Sequence, residues 1–187
     1  MISQIFDNGA FKVLALFALS PGSKFRRKEM KEKIKINNVP LDRALSRLVS
    51  TGIIKKEKGL YFVNFENPYA EQIVSLVSLH HKRLKNLPLD VYLLLADVVD
   101  ELSITKNIEV WLFGSYSKIV YSEKSDIDIA LLLPPGFSKM CIRKIFKKLE
   151  KRYSKEIEGH FFEAHSFYRN KNDPLVKEIL QNGVRLI

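Results

Sequence analysis

The sequence predicts a mixed α/β (α+β) chain of two modules joined by a helical connector, and three observations carry that reading. Apolar residues recur at helical spacing through most of the first half of the chain. One hairpin signal, around Lys58-Gly59, interrupts them. Two apolar runs then read as strands, one ending at Phe113 and one at Leu133. The expected boundaries are residues 1–65 for the front module, 66–106 for the connector and 107–187 for the back domain, whose sheet is small.

The chain has 187 residues, enough for one large domain or two small ones, and its 46% hydrophobic share supports real cores. Its net charge of +10 is unevenly placed. Residues 1–64 hold 13 Lys and Arg against 5 acids, residues 65–105 hold 3 against 6, and residues 106–187 hold 15 against 10. Positive charge concentrated in the first third points to a nucleic-acid partner more than to solubility. Cys141 is the only cysteine, which excludes an internal disulfide and suits a reducing compartment. The apolar stretch Val13–Leu19 is too short to span a bilayer, and no leader-like pattern precedes it. The expectation is a soluble, cytoplasmic protein without a membrane partner.

In chain order, Ala10–Leu19 reads as a first helix with Phe11, Leu14, Leu16, Phe17 and Ala18 inward, stopped by Ser20-Pro21-Gly22-Ser23. Phe25–Ile34 reads as a short basic helix with Phe25, Met30 and Ile34 facing in. After Asn37-Asn38 a third helix carries the stripe Leu41, Ala44, Leu45, Leu48 and Val49, with Pro40 in its first turn. Gly52 ends it. Ile53-Ile54 begins a ribbon that returns as Leu60–Val63. Over residues 10–64 this order resembles the winged helix-turn-helix family. The stripe leaves Arg43 and Arg47 outward one turn apart, on the face that such a domain lays in a major groove. Lys55, Lys56 and Lys58 lie on the wing, where phosphate contacts are expected. DNA is the expected ligand; the same surface would also hold RNA phosphates.

The connector reads as two helices. Asn67-Pro68 opens the first, with Ile73, Val74, Leu76, Val77 and Leu84 apolar; Pro88 opens the second, with Val91, Leu94, Leu95, Val98, Val99 and Leu102 apolar. That broad face could also support a homodimer. Adjacent His80 and His81 point about 100° apart on a helix, so they read as surface or packing residues and not as a chelating pair.

Chemistry concentrates in the back domain. Val110–Phe113 is a strand that leaves the core through Gly114-Ser115. Ten residues later Asp126-Ile127-Asp128 opens the run to Leu133, and strand alternation puts both carboxylates on one face. Like charges side by side repel, which gives a fold little reason to pair them unless a cation lies between them. Hard oxygen donors suit Mg²⁺, which takes one or two carboxylates plus substrate phosphates. Gly114 lets backbone approach a phosphate and Ser115 adds a hydroxyl. Pro134-Pro135-Gly136 then breaks the chain. Met140–Tyr153 is an amphipathic helix with Arg143, Lys144, Lys147, Lys148, Lys151 and Arg152 outward. Glu156–Phe162 is a third strand, and Asp173-Pro174 caps a last helix before a short terminal strand.

Gly-Ser, a spacer near ten residues, and Asp-x-Asp in an apolar strand resemble the DNA polymerase β nucleotidyltransferase superfamily, most closely its minimal nucleotidyltransferase branch. The resemblance covers roughly Asn107 to Ile187. It implies that Gly114 and Ser115 hold a nucleoside triphosphate, with ATP expected, and that Asp126 and Asp128 hold two Mg²⁺ ions. Ser125 also fits the pattern. Where members often carry Arg and a further Gly, this chain has Tyr116, Ser117, Lys118 and Ile119, which leaves Lys118 as the basic phosphate contact. The family's third acid falls on the neighbouring strand, where the candidates are Glu158 and Glu163. Glu158 is preferred: it shares a face with His160 and Phe162, whereas Glu163 lies at or past the strand end.

The resemblance implies transfer of a nucleoside monophosphate to an acceptor. Members of the branch often act as antitoxins that modify a partner toxin, so a toxin protein is an expected partner. The alternative is a DNA-binding regulator whose back domain only binds nucleotide or a partner.

Overall fold

The computed structural model describes residues 6–81, 84, 86–103, 105 and 107–187, with the side chains of His80 and His81 excepted. The reading of those two histidines therefore lies outside the described residues. Two compact units divide between Leu93 and Leu94.

The first unit begins with α1 (Asn8–Leu19), which starts where Asp7 Oδ1 accepts the backbone N–H groups of Gly9 and Ala10 at 2.7 and 3.2 Å. Phe11, Leu14, Leu16 and Phe17 are buried as expected, while Ala18 is half-buried. The second helix departs from expectation. Phe25 and Arg26 form β1, and α2 spans only Arg27–Ile34. Glu29 Oε2 accepts the Arg26 N–H at 2.6 Å, so the acid three positions on sets the helix start after Arg26. Helix α3 (Asn38–Ser50) buries Leu41, Ala44, Leu45 and Leu48; Val49 is 37% exposed and falls outside the stripe. Strands β2 (Ile54–Glu57) and β3 (Leu60–Val63) form the hairpin, with Lys58 and Gly59 both at positive φ, the conformation that this two-residue turn needs. Three strands order as β1-β3-β2.

Helix α4 (Pro68–His81) buries Val74 and Val77 but leaves Tyr69, Leu76 and Leu79 exposed, which corrects the inward placing of Leu76. Helix α5 (Leu89–Leu102) is buried from Val91 through Val99, so its apolar face is already covered within the chain. Among the described residues no helix is long and apolar enough to cross a membrane.

The second unit is built on a mixed sheet of order β6-β5-β4-β7. Strand β4 (Glu109–Leu112) pairs antiparallel with β5 (Ile127–Leu133), and β5 pairs parallel with β6 (Ile157–Glu163). Between β4 and β5 lies α6 (Gly114–Lys118); between β5 and β6 lies α7 (Lys139–Tyr153). A parallel pair needs such a crossover helix. After β6 come α8 (Ala164–Arg169), which the sequence reading missed, then α9 (Pro174–Asn182) and β7 (Val184–Arg185), which closes against β4.

Sheet alternation decides what faces what. Ala130 and Leu132 join Phe113, Phe167, Val176 and Ile179 in one core, with Phe162 packed against it. On β6, the lack of a side chain at Gly159 leaves room for the ring of Phe146 from α7. Central β5 is therefore apolar almost throughout. Asp128 is the one residue of that strand that is not buried.

Candidate functional site

Asp128 lies one step from the core on the face that carries Ala130 and Leu132. Its backbone carbonyl accepts the N–H of Phe113 at 3.0 Å, which ties β5 to the end of β4 just before Gly114. The parallel register makes Glu158 the direct partner of Asp128, and His160 the partner of Ala130. One donor atom from each of Asp128, Glu158 and His160 lies within 4.8 Å of the other two. His160 Nε2 is 3.3 Å from Glu158 Oε1, and its ring meets Phe113 edge-on with centroids 5.1 Å apart.

The electrostatics are adverse to the anion. Burial first, then the charges of Glu158 and Asp126, push the Asp128 carboxyl above its ordinary range; His160 and the Ser115 backbone N–H oppose that rise. Asp126 is exposed just before β5 and lines, with Glu158, an open cleft of about 600 Å³ that also meets Glu150, Ser154, Lys155 and Glu156. Asp128, Glu158 and His160, two carboxylates and an imidazole from neighbouring strands, are a donor set that fits a divalent cation, and Asp126 stands outside that close cluster.

Gly114, at φ 69°, begins α6, and a Cβ there would overlap the Asp128 carboxylate. The Ser115 backbone N–H lies near enough to Asp128 to favour its anion, and Ser125 gives its hydroxyl to the turn, accepting the Ser122 N–H at 2.9 Å. Lys118 is directed elsewhere: its ammonium pairs with Glu178 of α9 at 2.5 Å. Tyr116 is 1% exposed and stacked on Tyr121 at 4.4 Å, so the residue following Gly-Ser belongs to the core. Its hydroxyl is buried without a hydrogen-bond partner among the described residues. Glu163 pairs in register with Leu133 at the far end of β6 and accepts the Ser166 hydroxyl at 3.1 Å.

In the front unit Arg43 and Arg47 are both exposed on α3, as the stripe requires. Arg47 meets Asp7 at 3.5 Å, whereas Arg43 has no ion pair among the described residues. On the hairpin, Lys55 pairs with Glu66 at 2.5 Å, the Lys56 ammonium sits 5.3 Å from the Tyr61 ring centre, and Lys58 is exposed at the turn.

Two features escaped the sequence reading. Asp97 of α5 is 1% exposed and accepts hydrogen bonds from Arg152 Nη1 at 2.9 Å and Tyr153 Oη at 2.7 Å. Arg152 is therefore not part of a solvated basic face, and Lys148 also leaves it to meet Glu101 at 2.6 Å. An Asp inside an apolar helix was the available signal, because a buried carboxylate requires partners. His160 is the other; its place two residues beyond Glu158 on one strand face was visible.

Residues 94–186 match the family described as the nucleotidyltransferase domain. Two solved structures show partial likeness. One is a toxin–antitoxin crystal structure with AMP-PNP, 21% identical over 50% of this chain and 72% of its own, with a TM-score of 0.39. The other is a mutant of the toxin–antitoxin pair MntA–HpeT, 19% identical over the same shares, also with a TM-score of 0.39. Among curated proteins none matches.

Proposed function

We propose that the nucleotidyltransferase domain matched over residues 94–186 moves a nucleoside monophosphate from a nucleoside triphosphate, ATP first, to an acceptor oxygen, with release of pyrophosphate. The observation that carries the reading is the register of β5 and β6, which sets Glu158 beside Asp128 while Gly114 leaves room for the Asp128 carboxylate. Asp126, Asp128 and Glu158 are the residues that would hold the metal. Two Mg²⁺ ions bound there would supply charge for the phosphates and lower the pKa of the acceptor hydroxyl. The chain itself contributes position and charge. The Ser115 N–H favours the Asp128 anion, Gly114 keeps the turn close, and the hydroxyls of Ser115 and Ser125 are assigned to the triphosphate.

The front unit is read as a winged helix. What supports that is the order α1, α2, α3, then the β2–β3 hairpin with β1 added as a third strand. Arg43, Arg47, Lys55, Lys56 and Lys58 would meet nucleic acid, DNA in the first instance, with RNA as the other candidate. The acceptor is assigned to a partner protein of the toxin kind, in keeping with the sequence resemblance.

A second reading has its own observation. Lys118 is engaged by Glu178 and Tyr116 is buried, so the turn after Gly-Ser offers no ready basic contact for phosphates. On that reading the domain binds nucleotide without transferring it and the chain is a regulator. Labelled-nucleotide transfer to a partner protein or RNA, run beside nucleotide binding, separates the two. Glu158→Ala is expected to abolish transfer and keep most binding, and Glu163→Ala to change transfer little. Binding without transfer by the unmodified protein would favour the regulator.

A further inference from the structure

We infer that His160 is a nitrogen ligand of the metal site, so that the site prefers Mn²⁺ to Mg²⁺. The inference rests on the metal-dependent reading above and extends it to the identity of the ion. Strand β6 presents Glu158 and His160 to the same face, and the parallel register places both against the Asp128 end of β5. Their donor atoms and that of Asp128 lie within 4.8 Å of one another. Three donors on one ion, at bonds of about 2.1 Å, lie about 3.0 Å apart when adjacent and about 4.2 Å apart when opposite, so side-chain rotations of about 1–2 Å close the set.

The chemistry of the third donor then decides the metal. Carboxylates alone suit Mg²⁺, Ca²⁺ and Mn²⁺, whereas imidazole shifts preference toward first-row transition metals. Of the ions that favour carboxylate oxygen, Mn²⁺ is the one that also belongs to the first-row transition metals. The imidazole is already held for the role. Phe113 packs against its ring at 5.1 Å and Nε2 lies 3.3 Å from Glu158, which limits its rotation. Both residues beside it in space, Phe113 and Asp128, are joined by a backbone hydrogen bond of 3.0 Å. The competing role for His160 is to position Glu158 without touching the ion.

The test uses the full chain freed of metal, titrated separately with Mn²⁺ and Mg²⁺, with no nucleotide present. The unmodified protein is expected to bind Mn²⁺ about tenfold or more tightly than Mg²⁺. The pulsed EPR spectrum of its Mn²⁺ complex should carry the coupling of a protein ¹⁴N. His160→Ala should lose that coupling and most of the Mn²⁺ preference, while its Mg²⁺ affinity stays within about threefold. His160→Gln, which keeps bulk against Phe113, should behave alike and guards against a folding defect in the alanine variant. Mn²⁺ binding with no nitrogen coupling in the unmodified protein would overturn the ligand assignment and leave the carboxylate site standing. Binding of neither ion, alone or with a non-hydrolysable ATP analogue added, in a protein whose circular dichroism shows it folded, would overturn both.

Discussion

Gly114 and Asp128 compete for one space: a side chain on the first would occupy the position of the second's carboxylate. The glycine also sits at φ 69°, which costs an L-residue roughly 1–2 kcal/mol. Gly114→Ala is therefore expected to displace Asp128 and weaken metal-dependent nucleotide binding by about tenfold or more. Its melting temperature should fall by only a few degrees, since the added strain is local. Calorimetric titration beside thermal melts checks both, and normal binding by this variant would separate Gly114 from the site.

Asp128→Asn should trade binding for stability. The folded protein holds the Asp128 carboxyl above its ordinary range, so the folded state favours the protonated form. Stability is then greatest below the unfolded-state pKa and declines as pH rises through the folded one. At neutral pH, without metal, removing the charge should leave stability equal or raise it by about 1 kcal/mol or less, because water reaches the half-buried group. Added Mn²⁺ or Mg²⁺ should raise the melting temperature of the unmodified protein and not that of Asp128→Asn. Loss of stability in the metal-free variant would show that Asp128 is a structural acid.

Asp97→Ala should destabilise the second unit by about 3 kcal/mol, the cost of leaving buried polar partners unmatched. Arg152 keeps some water contact, at 31% side-chain exposure, so the Tyr153 hydroxyl carries more of that loss. Burial, then Asp97 itself, drives the Tyr153 phenol far above its ordinary pKa, and it remains a donor throughout the working range. Asp97→Asn retains an acceptor and should lose less. Urea unfolding followed by Trp111, the single tryptophan, reports the second unit without averaging over the first.

Nucleic-acid affinity of the front unit should fall steeply between about 50 and 200 mM salt, as counterion release requires. Replacing Lys55 and Lys56 together should weaken all sequences alike, whereas Arg43→Ala should also relax any sequence preference, by about 1–3 kcal/mol. Arg47→Ala should matter less than Arg43→Ala, because Asp7 already shares its charge. Absence of a gel shift at low salt, on DNA and on tRNA, would make this unit a docking module.

What was legible in the sequence followed from short-range rules. The strand that carries Asp128, the Lys58-Gly59 turn, the Asp173 cap and the face shared by Glu158 and His160 all depend on neighbours a few residues away; Asp126, expected in that strand, lies just before it. Glu158 could be preferred over Glu163 for the same reason, and the two now lie at opposite ends of β6. Illegible were contacts across long separations. Lys118 reaches Glu178 and Arg152 reaches Asp97, and nothing local to either residue announces its partner. Tyr116, which stands where the family often has Arg, is placed in the core by its stacking on Tyr121, a contact that the sequence did not announce. Helix α8 is only six residues long, too short for periodicity to register.

The parallel pairing of β5 and β6 makes the spacing of the carboxylates a matter of counting. Ser154, at φ 54°, caps helix α7, and the N–H of Ile127 donates to the Glu156 carbonyl at 3.0 Å as β6 begins. One residue inserted between Ser154 and Glu156 would slide β6 along its neighbour, turn Glu158 toward α7 and bring Ile157 opposite Asp128. A substitution in that connection changes a side chain; an insertion or deletion changes which side chains meet. The linker thus acts as a ruler, and its length matters more to the site than its composition.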